Sequence, residues 1–316
     1  MNIVARARSV LKYLLLIVVV SITLGLTWLR WDAGQPRNDW FDERQGQIEA
    51  VVVTETASID GQRSDAVRLT SDSGMEIFFR VIRDDAAEGA VPVLLVLGGH
   101  RTGSDAVELF GNVQKRAVIG IDYPYDGPEK VKGFVPIANT IPLARRAILD
   151  IVPAVSLVLD WLVEQDWVDK QNIVIVGASL GVPFATRAAA RDERISSLML
   201  VHGAADTRLW LETQVARRID QEFLHYPLGT FLYWVAYGPV FDTGEHISAV
   251  SPRPVLIVGA RNHERTPAGQ AELLFERAGE PRRLRFTEGQ HIQPNRSEII
   301  DELLYIADEE MPFLAQ

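Results

Sequence analysis

The chain contains no cysteine. Disulfides, thiolate metal sites, lipidated cysteines and cysteine nucleophiles are all excluded, so any nucleophile must come from another side chain. Basic charge is in deficit too: 32 Lys and Arg stand against 42 Asp and Glu, a formal net charge of -10. Nucleic-acid binding draws its affinity from clustered cations that release counterions, so this balance argues against a nucleic-acid partner. Internal repeats and low-complexity tracts are lacking as well. What remains is ordinary globular composition, 47% hydrophobic and 23% charged over 316 residues. That suits one large domain plus an accessory segment.

Residues 10–29 are almost wholly apolar, with Lys12 their one charge near the start. At a rise of ~1.5 Å per residue, about twenty helical residues cross a hydrocarbon core of ~30 Å. Arg6, Arg8 and Lys12 lie at the front of this run, which places the N-terminus in the cytoplasm and the remaining chain outside. Trp28, Arg30 and Trp31 suit an interfacial anchor at its far end. No small-x-small cleavage pattern appears between Gly25 and Trp31, and the run is longer than a usual signal-peptide core. Residues 1–31 are therefore expected to be a cytoplasmic tip and an uncleaved transmembrane anchor. Residues 32–46, polar and carrying Gly34 and Pro36, are expected to be a linker, with a catalytic domain over residues 47–316.

Residues 49–55, 66–70 and 76–82 are β-rich and separated by turn pairs such as Ser73-Gly74, which predicts an antiparallel entry to a sheet. The pattern then changes. Residues 91–97, 117–121, 173–176, 197–201 and 255–258 are short, nearly uninterrupted apolar runs, as expected of strands buried on both faces of a parallel sheet. Residues 284–286 suit a last strand. Helical patterns at 143–164, 182–190, 268–278 and 297–309 alternate with these runs, and the class is α/β with helices on both faces. Residues 206–251 are too long for a simple crossover and hold Trp210, Phe223, Tyr226, Phe231, Tyr233, Trp234, Tyr237 and Phe241. They are expected to form a helical lid whose aromatics help to shape an apolar pocket.

Ser179 lies in Gly177-Ala178-Ser179-Leu180-Gly181, after the apolar strand Ile173-Val174-Ile175-Val176 and before a helical run. A serine hydroxyl becomes a useful nucleophile when a base takes its proton and a sharp strand-to-helix turn exposes its oxygen; the two glycines let such a turn fit. Oxyanion donors are expected from the Leu180 amide and from Gly99 and His100, in the loop after the 91–97 strand. The base is expected late in the chain, and His291, just past the last strand in a glycine-containing loop, is the candidate.

The sequence from about residue 91 onward resembles the α/β-hydrolase superfamily, of the dienelactone-hydrolase and esterase type. Leu97-Gly98-Gly99-His100 matches the oxyanion loop, residues 177–181 the nucleophile elbow, and Gly289-Gln290-His291 the histidine loop. The acid loop departs from the family. Where the resemblance implies an aspartate, residues 259–267 contain none, and Glu264 is their only carboxylate. Glu264 is thus the first candidate for the triad acid, and Asp206, after the 197–201 strand, is the reserve. The resemblance implies a serine hydrolase, expected to act on a small-molecule carboxylic ester without metal or organic cofactor. From the N-terminal charge pattern, the catalytic domain is expected to face outward from the membrane, into the periplasm if the cell is bacterial. The same triad also suits a serine peptidase or an acyltransferase, and the broken acid loop suits a non-catalytic binding module on this fold.

Overall fold

The computed structural model describes residues 3–59, 61–99, 102–111, 113, 115–128, 130–131, 133–262 and 264–311. Helices α1 (Ile3–Ala33) and α2 (Asn38–Gln45) lead into strands β1 (Ile48–Ile59), β2 (Gln62–Ser71) and β3 (Glu76–Asp84). After them come β4 (Val91–Leu97), β5 (Ala117–Ile121), α3 (Phe134–Leu162), β6 (Val168–Ala178), α4 (Gly181–Arg191) and β7 (Ser197–Val201). The 206–251 interval contains α5 (Thr207–Ala216), α6 (His225–Val235) and the short α7 (Gly238–Phe241) and α8 (Thr243–His246). The chain ends with β8 (Val255–Ala260), α9 (Gln270–Arg277), β9 (Arg282–Thr287) and α10 (Ser297–Glu310).

All nine strands form one sheet in the order β1-β2-β3-β5-β4-β6-β7-β8-β9. β1, β2, β3 and β5 pair antiparallel, and every pair from β5 through β4 to β9 is parallel. The chain therefore reverses direction across the sheet at β4, whose neighbours are β5 on one side and β6 on the other. In open α/β sheets such a switch point opens a crevice beyond the strand C-termini, where ligands bind. Leu97 pairs with Gly177 across β4 and β6, so the Gly98-Gly99 loop and the Ser179 turn leave the sheet side by side.

Alternation along the parallel strands divides the core in two. Val93, Leu95, Leu97, Ile173, Ile175, Leu198 and Leu200 pack with residues of α3, α4 and α9. Leu94, Val96, Val174, Val176, Met199 and Val201 face the other way, toward a single 3-10 turn at residues 104–110 and α10. That second face is covered thinly, and its cover leaves room for a cavity.

The insertion is helical, as expected; two of its aromatics, Tyr237 and Phe241, are buried and seat it, and Trp210 lines the cavity that opens at Ser179. Phe241 is buried beside Phe184 at 5.1 Å and Phe41 at 6.3 Å, and the Arg145 guanidinium lies 3.9 Å from the Tyr237 ring centroid. Residues 32–46, expected to be a linker, pack on the domain through their charges and through α2. Their charges are held by α3: Arg44 donates to both Asp150 oxygens at 3.0–3.3 Å, Trp40 donates to Asp150, and Arg145 pairs with Asp32. Phe41 is fully buried. A polar segment of this length gives no period long enough to reveal in advance which buried carboxylates will receive its cations. Within α1, Ser9–Ala33 is long and apolar enough to cross a membrane by length and composition, and its most apolar 18-residue stretch is not buried inside the protein, whereas Ala33 at its end is.

Candidate active site

Ser179 sits between β6 and α4 with φ of +54°, the left-handed region that non-glycine residues rarely occupy. Its amide donates to Val201 O at 2.9 Å, tying the turn to the neighbouring strand. Close approach explains the flanking glycines. A Cβ on Gly181 would stand 2.0 Å from Leu97 O, and one on Gly177 would stand 2.7 Å from the Ala185 Cβ. The strain thus persists because the surrounding backbone fixes it, and it lifts the Ser179 side chain above the sheet edge.

His291 Nε2 lies 2.7 Å from Ser179 Oγ. The His291 side chain is 3% exposed, and burial, reinforced by the Arg265 cation, lowers its pKa to about 4. It is therefore the neutral, proton-accepting form that stands beside the hydroxyl at neutral pH. The loop is fixed through its backbone: Arg296 Nη1 donates to His291 O at 2.5 Å, and the Ile292 amide donates to His202 Nδ1 at 2.8 Å.

Sequence reasoning misses His202, which lies far from the late loop where a base is expected. It is almost fully buried at the end of β7, with φ of +54°, and its ring centroid lies 5.6 Å from that of His291. Because Nδ1 accepts from Ile292, Nε2 carries the proton and donates to Thr287 Oγ1 at 2.9 Å. The result is a fixed neutral tautomer that holds the histidine loop. The one signal for it along the chain is position: His202 directly follows an apolar strand, where this sheet delivers residues to its C-terminal edge.

The two candidate acids are placed differently. Glu264 accepts from Arg296 Nη1 at 2.7 Å, and this hydrogen bond holds it below the usual carboxylate range. It lines, with Asn262, His202 and His291, a cavity of about 10 Å³ behind the imidazole. Among the described residues, His291 Nδ1 has no hydrogen-bond acceptor. Glu264 is thus joined to the histidine loop through Arg296 and acts on the ring by charge across a short gap. Asp206 caps α5, accepting from the Leu209 amide at 2.7 Å. Nothing in that arrangement joins it to His291.

On the oxyanion side, the Leu180 amide has no acceptor among the described residues. A Cβ on Gly99 would lie 3.7 Å from the Ser179 Cβ, which places the Gly98-Gly99 loop against the nucleophile. Carbonyls of this loop are engaged elsewhere: Tyr123 Oη donates to Gly98 O at 2.5 Å, and Thr102 Oγ1 donates to Gly99 O at 2.8 Å. Pinned in this way, the loop keeps its oxygens away from a developing negative charge. His100 lies outside the described residues. Among the described residues no group of three or more His, Asp or Glu side chains is arranged to hold a metal ion.

A sheet with this switch point, a strand-to-helix elbow presenting serine and a late histidine in contact with it define the α/β-hydrolase fold. Solved structures agree. An acetyl xylan esterase from Paenibacillus sp. R4 superposes with a TM-score of 0.60 at 16% identity, over 86% of this chain and 95% of that one. Acetyl xylan esterase 1 from Thermoanaerobacterium sp. JW/SL YS485 gives 0.58 at 12% identity, over 88% and 96%. A cold-adapted esterase from an Arctic intertidal metagenomic library gives 0.56 at 14%, over 81% and 98%. No protein-family model matches the chain, and no curated protein sequence matches it either.

Proposed function

We propose that the protein is a membrane-anchored serine hydrolase that cleaves small-molecule carboxylic esters through an acyl-enzyme on Ser179. Residues 47–316 form the catalytic domain, and residues 1–31 anchor it on the outer side of the membrane. The observation that carries this is the 2.7 Å contact between His291 Nε2 and Ser179 Oγ, on an elbow where φ of +54° exposes the hydroxyl. The esterase names of the similar structures support the choice of ester over amide.

In the first half of the reaction Ser179 Oγ attacks the carbonyl carbon while His291 Nε2 takes the hydroxyl proton. Amide hydrogens of Leu180 and of the 99–100 backbone receive the oxyanion, each donor contributing ~3 kcal/mol to the barrier reduction. The tetrahedral intermediate collapses, its bond to the alcohol oxygen breaks, and the proton on His291 passes to that oxygen. Water then attacks the acyl carbon, with His291 taking its proton and returning it to Ser179 as the carboxylic acid leaves. The cycle requires no metal or organic cofactor.

Purified full-length protein is expected to hydrolyse p-nitrophenyl butyrate at least about a hundredfold faster than matched aminoacyl p-nitroanilides, and to stay with membranes through alkaline carbonate extraction. Faster amide turnover would overturn the esterase assignment; a soluble product beginning near residue 30 would overturn the anchor.

Glu264 is proposed to assist His291 electrostatically. A hydrogen-bonded triad acid is worth ~10⁴ in kcat, because its loss leaves the wrong histidine tautomer. With Glu264 committed to Arg296, Glu264→Gln is expected to lower kcat only about ten- to a hundredfold, from lost charge stabilisation of the imidazolium. Asp206→Ala should cost ~1 kcal/mol of stability as a lost helix cap and leave kcat within about twofold. A kcat loss above about a thousandfold in Glu264→Gln would instead mean that Glu264 closes onto His291 Nδ1 during turnover.

A further inference from the structure

A cavity of about 720 Å³ opens at Ser179 and His291 and runs under them between the thinly covered sheet face, the 3-10 turn at 104–110 and α10. Pockets that enclose small organic ligands measure ~300–1,000 Å³, so this one accepts much more than an acetyl group. Its composition changes along its length. The inner wall is Leu94, Val96, Val176, Met199, Leu303 and Ala307, all buried, with no charged side chain among the cavity's lining residues at that end. Ser179 is half-buried at the midpoint, and two arginines stand toward the mouth, Arg218 exposed and Arg265 half-buried.

Those two cations are notable in a chain with a net charge of -10. Most arginines among the described residues carry a carboxylate partner, such as Arg296 with Glu264 or Arg145 with Asp32. Among the described residues Arg218 and Arg265 have none. Among the described residues Arg218 donates only to the Gln214 backbone oxygen, and Arg265 Nη2 lies 3.2 Å from the Gln293 side-chain amide, which accepts from it when its oxygen is turned toward the guanidinium. Both guanidinium groups line the cavity without an ion-paired carboxylate, so an anion entering it meets two cations free to form charge-assisted hydrogen bonds.

Taking Ser179 as the acylated nucleophile, we propose that the substrate is a single-chain amphiphile. Its fatty acyl chain fills the cavity beneath Ser179, and its alcohol part carries a phosphate or carboxylate held by Arg265 and Arg218. The acyl carbon then lies at Ser179, between an apolar inner channel and a cationic mouth. Location suits such a substrate. Phe223 and Tyr226, just before and within the first turn of α6, are exposed at 77% and 61%, and α6 is also the helix against which α1 packs. An amphiphile leaving a bilayer would enter by that side.

The test is a kinetic series on the full-length protein. For p-nitrophenyl acetate, butyrate and octanoate, each buried methylene is worth about fourfold in binding, so kcat/KM is expected to rise at least a hundredfold from acetate to octanoate. Ala307→Trp, which fills the inner channel, should cut the octanoate-to-acetate ratio tenfold or more. For the mouth, 1-decanoylglycerol is compared with its 3-phosphate and with 3-O-decanoylglycerate. The anionic esters should be preferred tenfold or more, and Arg218→Gln with Arg265→Gln should remove that preference. Preference for only one of the two anions identifies which group the arginines take. A flat or falling chain-length series, or equal turnover of neutral and anionic esters, overturns the proposal provided that a small fluorophosphonate still labels Ser179. Loss of that labelling in the unmodified protein would instead refute the nucleophile assignment. The chain-length series on the unmodified protein decides the acyl pocket even where Ala307→Trp fails to fold.

Discussion

Ser179→Ala is expected to abolish fluorophosphonate labelling and to lower ester hydrolysis by about 10⁴–10⁶-fold, since residual turnover would rest on binding and oxyanion contacts alone. The fold should survive. Among the described residues Ser179 Oγ has one hydrogen bond, to His291, and the elbow is held by the Ser179 amide to Val201 O and by the glycines on either side. The companion Ser179→Gly should be equally inactive and more stable than the native protein by about 1 kcal/mol, because glycine adopts positive φ without the steric cost borne by serine at +54°. Thermal unfolding alongside labelling checks both parts. Retained labelling in Ser179→Ala would place the nucleophile elsewhere; a large fall in melting temperature would mean that the hydroxyl is structural.

The second large effect is on pH dependence. His291 must be neutral to take the Ser179 proton, and burial followed by the Arg265 charge brings its pKa down to about 4. The acid limb of kcat/KM should therefore have its midpoint near pH 4, well below the ~6.5 of an ordinary histidine. At pH 5.5 the native enzyme should retain nearly full activity, where an unperturbed base would have lost most of it. The neighbours set the sign of two further shifts: Arg265→Gln removes a repelling cation and moves the limb up, whereas Glu264→Gln removes a stabilising anion and moves it down. Stability is linked in the same direction. With the folded pKa below the unfolded one, this group's contribution is full above pH 6.5 and is lost as pH falls toward 4. A limb near 6.5 in the native protein would show that the imidazole is solvated in the working enzyme.

Much of the fold could be read along the chain because its strands satisfy a simple rule. Strands buried on both faces need uninterrupted apolar runs, and the expected runs at 91–97, 117–121 and 197–201 coincide with β4, β5 and β7. The elbow was legible for a related reason. Gly177 and Gly181 border a serine between a strand and a helix, and their close contacts with Ala185 and Leu97 exclude larger side chains. Polar stretches were less informative. Residues 32–46 show their charges in the sequence, but not that Asp150 of α3 receives Arg44 or that Arg145 of α3 pairs with Asp32.

The sequence alone determined the order of the strands and of the helices other than α2, the serine elbow and the late position of His291. Each depends on local spacing or on the identity of adjacent residues. Tertiary structure decided which groups meet. It joined His291 to Ser179 across 112 positions, assigned Glu264 to Arg296 and Asp206 to a helix cap, and set His202 behind the histidine loop. It also put the cavity under the sheet face that α10 covers, and left Arg218 and Arg265 at its mouth. Such meetings depend on how distant elements pack and on where charge is desolvated, and neither quantity is a property of any short stretch of chain.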